Sequence, residues 1–150
     1  MTKTIFKTLI LLLVLMGTSC HKDEEEQTEQ KTDYSSLFDY NVSLWVDNMT
    51  KNKDITLQLV YLNSYKREVI KANSNFDRTK IKAIELLKYF EIDMSDPYLR
   101  NGEIRYFIIS NKNVIKYGYL NKSNNLADII IYYDDNGELA VTGTSQTHLD

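Results

Sequence analysis

The chain has 150 residues, 43% of them hydrophobic, 26% charged and 11% aromatic, and a formal net charge of −3. That length holds one domain, and the balance of apolar and charged residues is that of a folded chain. A single Cys excludes an internal disulfide framework and a cysteine-rich zinc module. The acidic balance argues against a nucleic-acid partner, which would call for a basic face.

Lys3 and Lys7 open the chain, and Leu9 to Met16 is an unbroken apolar run. Gly17, Thr18 and Ser19 are small, and Cys20 follows. This is the three-part plan of a secretory signal over residues 1–19. A membrane-spanning helix needs roughly 20 apolar residues. Here the run stops early and meets Lys22, Asp23, Glu24, Glu25 and Glu26, which argues against a permanent span. Gly17-Thr18-Ser19-Cys20 resembles the lipobox of bacterial lipoproteins, in the loosened form common among Bacteroidota, with Gly17 where Leu is usual. The resemblance implies that Cys20 becomes the mature N-terminus and carries the acyl chains. Cys20-His21-Lys22-Asp23-Glu24-Glu25-Glu26 is similar to the lysine-plus-acidic signal that sends such lipoproteins to the outer face of the outer membrane. Two or more acyl chains, at about 0.8 kcal/mol per buried methylene, anchor a protein stably. Cys20 is then neither a catalytic thiol nor a metal ligand, and the membrane is a partner through its N-terminal acyl chains.

The segment 20–36 reads as a tether. Beyond the Cys it sets Lys22 and Lys31 against six acids and contains no aliphatic residue. The body, 37–150, is nearly neutral and reads as one domain. Its short runs of β-branched and aromatic residues recur between Asn, Asp, Gly, Lys and Ser. Tyr40 to Asp47 alternates, with Val42, Leu44 and Val46 on one face and Asn41, Ser43, Trp45 and Asp47 on the other. Asp54 to Leu62 follows, then a weaker run from Tyr65 to Ala72. Residues 78–89 are rich in helix formers and predict a short helix followed by an extended exit. Asp96-Pro97 stops any regular element. Glu103 to Ser110 and Val114 to Leu120 form a hairpin across Asn111-Lys112-Asn113. Ala127 to Asp134 and Glu138 to Thr142 form another across Asn136-Gly137, a type I′ turn signal. About seven strands at this spacing predict a mainly β, two-sheet immunoglobulin-like β-sandwich. The segment from Asn48 to Leu57 also resembles a hairpin of small immunoglobulin-like lipoprotein domains. That likeness implies an architecture, not an activity.

Chemistry is sparse. The histidines are His21, in the tether, and His148, close to the C-terminal end. Neither suits a nucleophilic triad or a transition-metal site. Body glycines are isolated, so no phosphate loop exists. Around Asp134-Asp135-Asn136-Gly137-Glu138 the EF-hand ligand pattern fails and a hairpin turn is expected. Glu85, Glu91, Asp93, Asp96 and Glu103 could pair for glycoside chemistry only by proximity in the fold. Asn41-Val42-Ser43, Asn48-Met49-Thr50 and Asn121-Lys122-Ser123 match the glycosylation triplet by chance. No catalytic residue, metal or cofactor is expected. Trp45 is the candidate ligand-binding residue: with Val42, Leu44 and Val46 inward it points out, where an aromatic can stack on a sugar or anchor a protein. The expected role is a non-catalytic, surface-exposed binding or accessory module for a glycan or protein partner. An envelope immunity, inhibitor or structural lipoprotein is the alternative, and a small hydrolase ranks third.

Overall fold

The structure is a computed structural model that describes residues 30–61 and 65–146, with 144–146 described as backbone only. The signal segment, Cys20, His21 and His148 lie outside the described residues. No helix among the described residues is long and apolar enough to cross a membrane.

Eight strands and one α-helix form among the described residues, against about seven strands expected. In chain order they are β1 (Asn41–Asn48), β2 (Ile55–Leu59), β3 (Glu68–Ile70), β4 (Ser74–Lys82), α1 (Ala83–Tyr89), β5 (Ile104–Ser110), β6 (Asn113–Leu120), β7 (Leu126–Tyr133) and β8 (Leu139–Gln146). One sheet has the order β4-β1-β7-β8 and the other β3-β2-β5-β6. The expected two-sheet β-sandwich is therefore correct. Strands β1 to β6 follow the immunoglobulin order, in which B pairs with E and C′, C, F and G form the facing sheet. The place of strand A beside β1 is filled by β7, which runs parallel to β1.

The inward faces are those the alternation predicts. Val42, Leu44 and Val46 of β1 meet Ile55, Leu57, Leu59, Ile104 and Ile108 of the other sheet in one core, all fully buried. Each such side chain contributes about 1.5–3 kcal/mol through burial.

The segment from 74 to 89 differs from the expectation. The predicted helix over 78–89 is strand up to Lys82 and helix only from Ala83. A bulge explains the strand's invisibility. Register shifts between Val42 and Leu44 of β1, where Lys80 takes a φ of 54° and its N–H donates to Ser43 Oγ at 3.1 Å. The extra residue puts Phe76 and Ile81 opposite the inward Val46 and Val42 at an odd spacing, which breaks the period of two. Ala83, Leu86, Leu87 and Phe90 are buried, an i, i+3, i+4, i+7 stripe that α1 turns into the core. The helix ends in a Schellman arrangement: Glu91 sits at φ 57°, its N–H donates to Lys88 O, and the Ile92 N–H donates to Leu87 O.

Three turns also differ. The Asn48–Leu57 segment is not a hairpin, because β1 and β2 lie in different sheets. Asn48 ties this crossing: its Nδ2 donates to Lys53 O, Ile70 O and Lys71 O at 2.7, 3.0 and 3.1 Å, and its Oδ1 accepts from Thr50. The β5–β6 hairpin turns on two residues, Asn111 and Lys112, both at positive φ. At Asn136-Gly137 the hairpin forms, but only Gly137 has positive φ. Gly137 N–H donates to Asp134 O, and Asp134 Oδ1 accepts from the N–H groups of Asn136 and Glu138. This is a type I turn followed by a glycine bulge rather than type I′.

The compact unit starts at Lys31, ahead of the expected body start at 37. Lys31 Nζ pairs with Asp93 at 2.7 Å, and Tyr34 N–H donates to Met94 O at 2.9 Å.

Candidate functional site

The outward face of the β3-β2-β5-β6 sheet carries a shelf of tyrosines. Strand β5 sends Ile104, Tyr106 and Ile108 inward, so Arg105, Phe107 and Ile109 face out. Across the ladder, Arg105 pairs with Tyr119 and Phe107 with Tyr117, while Gln58 flanks Phe107 on β2. Tyr61 follows β2 and stacks on Tyr98, with ring centroids 4.8 Å apart and planes 4° from parallel. Tyr117 is 74% exposed, and Tyr61, Tyr98 and Tyr119 are each exposed by two-fifths to one-half. Together with Glu103, Arg105 and Phe107, three of these rings (Tyr61, Tyr117 and Tyr119) line a concavity of about 680 Å³. A smaller cavity of about 230 Å³ adjoins it, lined by Pro97, Tyr98, Arg100, Asn101 and the shared Arg105.

Local sequence choices place these rings. Gly118 separates Tyr117 from Tyr119 because Tyr106 crosses beneath it: a Cβ there would lie 2.2 Å from the Tyr106 hydroxyl. Burial raises the Tyr106 pKa, so the hydroxyl stays neutral. Val60 aims Tyr61. It sits at φ 70° and is buried, and the Tyr61 N–H donates back to Leu59 O at 3.1 Å, closing a γ-turn. That form is strained, and a β-branched residue in it is more so. The Val60 N–H donates to Arg105 O at 2.7 Å and holds the turn against β5.

The polar groups of the site are poised but not spent. Three ion pairs form among the described residues, Lys31–Asp93, Lys71–Asp54 and Lys82–Asp39. Arg105, Arg100 and Glu103 belong to none of them. Gln58 is fully buried; its Nε2 donates to Tyr61 O, and its Oε1 has no partner among the described residues. A buried, unpaired acceptor costs about 1–3 kcal/mol.

Comparison with protein-family models, with curated proteins and with solved structures returns no match. The site therefore stands on its own geometry.

Trp45 points outward as the alternation of β1 predicts, but from the other sheet. It is half-buried, with Asp77 of β4 and Asp128 of β7 as its cross-strand neighbours. Among the described residues, four of the five exposed tyrosines cluster without it, and the fifth, Tyr133, ends β7. The carboxylates scatter too. Glu85 and Glu91 are exposed near α1. Asp93 is held by Lys31, and Asp96 accepts from the Tyr65 hydroxyl and the Tyr98 N–H. Of the five, Glu103 alone lines the large concavity. Asn48 and Thr50, in one of the glycosylation triplets, are buried and bonded to each other.

Sequence reasoning missed the shelf because Phe107 and Ile109 share the outward face of β5 with Arg105, and apolar character alone does not mark a binding face. The one available signal was Tyr117-Gly118-Tyr119, two like aromatics on one face of an edge strand.

Proposed function

We propose that this chain is a lipid-anchored lipoprotein of the outer membrane, displayed at the cell surface, that binds a glycan or protein ligand without transforming it. The anchor rests on Gly17-Thr18-Ser19-Cys20 and the acidic segment behind it. The binding role rests on one observation: three exposed tyrosines, Tyr61, Tyr117 and Tyr119, line a concavity whose charged groups, Arg105 and Glu103, have no ion-pair partner among the described residues. Exposed aromatics beside unpaired polar groups mark recognition surfaces. A single carboxylate cannot carry out two-acid glycoside chemistry.

The test has two arms. The Tyr117→Ala/Tyr119→Ala variant should lose ligand retention by roughly tenfold or more while its melting temperature stays unchanged, since both rings are exposed. Cys20→Ser should release the protein from the membrane fraction. Unchanged retention in the first arm would remove the shelf from the function, and an unchanged distribution in the second would remove the anchor.

A second reading, an envelope immunity or inhibitor protein, draws on the face where Trp45 lies between Asp77 and Asp128. Loss of a protein partner on Trp45→Ala, with the tyrosine variants silent, would favour it.

A further inference from the structure

We infer that the ligand of the shelf is a carbohydrate chain, bound across two adjoining subsites that meet at Arg105. The inference rests on the proposed binding role of the shelf and narrows it to a ligand class.

Shape comes first. A concavity of about 680 Å³ lies within the range of small-ligand sites and is unlike the flat patch of a protein interface. Next is the chemistry of the lining. Tyr117 and Tyr119 stand on one face of one strand, about 7 Å apart at two residues' rise. Ring faces take C–H-rich surfaces by stacking. Beside them the Arg105 guanidinium can only donate hydrogen bonds, and the oxygens of Glu103 offer acceptors. A ligand that satisfies both without carrying a charge must donate and accept, as a hydroxyl does. A wholly apolar ligand would leave both charged groups desolvated and unpaired, at a cost.

An extended peptide fits less well. Peptides add to sheets along an unpaired edge. Here the edge strand β6 has the Tyr119 carbonyl already occupied by Asn124 Nδ2 at 2.8 Å. It is also irregular near the hairpin, where register shifts opposite Ile108 and Ile109.

Two subsites follow from the cavities. The large one holds Tyr117 and Tyr119, and the small one holds Tyr98 with Arg100 and Asn101. Arg105 lines both, and the stacked Tyr61–Tyr98 pair bridges them. A single sugar ring occupies one subsite and a chain occupies both, so affinity should climb with chain length.

The full-length chain in detergent would be tested on an array of neutral oligosaccharides of one to six units, followed by titration calorimetry with the strongest binders. Binding should strengthen by roughly tenfold or more from one unit to a chain filling both subsites. Tyr117→Ala should weaken binding at every length. Tyr98→Ala should weaken only the longer chains. Both residues are exposed, so melting curves should match the parent's; a variant that melts early is replaced by Tyr→Phe at the same position, which keeps the ring and should keep binding. Equal affinity for one unit and six would overturn the two-subsite arrangement. Sugar binding indifferent to Tyr117→Ala and Tyr98→Ala would place the sugar elsewhere and overturn the inference. Absence of sugar binding, with a protein ligand lost on Tyr117→Ala, would overturn the ligand class and leave the binding role of the shelf standing.

Discussion

Asn48 shows how one polar side chain can hold a sandwich corner. It is fully buried, and its amide supplies three carbonyls on two other segments. Two amide hydrogens serve three acceptors, so at least one is shared. Asn48→Ala strands those carbonyls in a dry corner and should destabilise the fold by about 3 kcal/mol, read from denaturant melts. A loss under about 1 kcal/mol would mean that water replaces the amide. Nothing in the sequence marked Asn48 as structural; its glycosylation-like triplet is a chance match. Val60 carries the opposite lesson. A buried β-branched residue at positive φ is an unfavourable choice for its turn, yet it is what sets Tyr61 on the shelf.

Among the elements, the hairpin turns differ in how well sequence suits geometry. The β5–β6 turn puts Asn111 at φ 50° and Lys112 at φ 66°. Asn tolerates that region and Lys does not. Lys112→Gly should therefore stabilise the protein by about 1 kcal/mol, seen as a raised denaturation midpoint at unchanged slope. Gly137 already has the residue its turn needs. Strands with one clean buried face were legible from alternation, as β1 and β7 show. Strand β4 was not, because a single bulge shifts its phase and only Phe76 along it is buried. The helix was legible in composition but not in its bounds: its buried stripe runs through Ala83, Leu86, Leu87 and Phe90, and the residues before Ala83 are strand. The shelf was illegible for a related reason. Arg105 marks the outward face of β5, but only the fold gathers Tyr61, Tyr98, Tyr117 and Tyr119 around it. Trp45 was placed on the right face of its own strand, but which aromatics gather depends on the sheet pairing, and that pairing put the tyrosines on the other sheet.

At the scale of the molecule, the start of the compact unit is clasped by charge. The Lys31 ammonium, with the Ser95 N–H and hydroxyl after it, holds the Asp93 carboxyl well below the usual carboxylate range. A carboxyl depressed in the folded state adds stability above its unfolded pKa of about 3.9 and loses it as pH falls towards the folded value. Lys82 at Asp39 and Lys71 at Asp54 act in the same direction. Asp93→Asn should lower the melting temperature slightly at neutral pH, the pair being exposed, and flatten its fall below about pH 4. An identical acid limb in parent and variant would show the clasp to be without weight. The parallel pairing of β1 with β7 has a consequence for how the chain reaches this state. A chain that emerges N-terminus first delivers β1 early, but its two neighbours come from Ser74–Lys82 and Leu126–Tyr133. Loop closure over that span is slow, and open strand edges invite foreign pairing while they wait. The first strand to arrive is thus among the last to be enclosed, and a chain cut short before Leu126 would leave β1 with one side permanently unpaired.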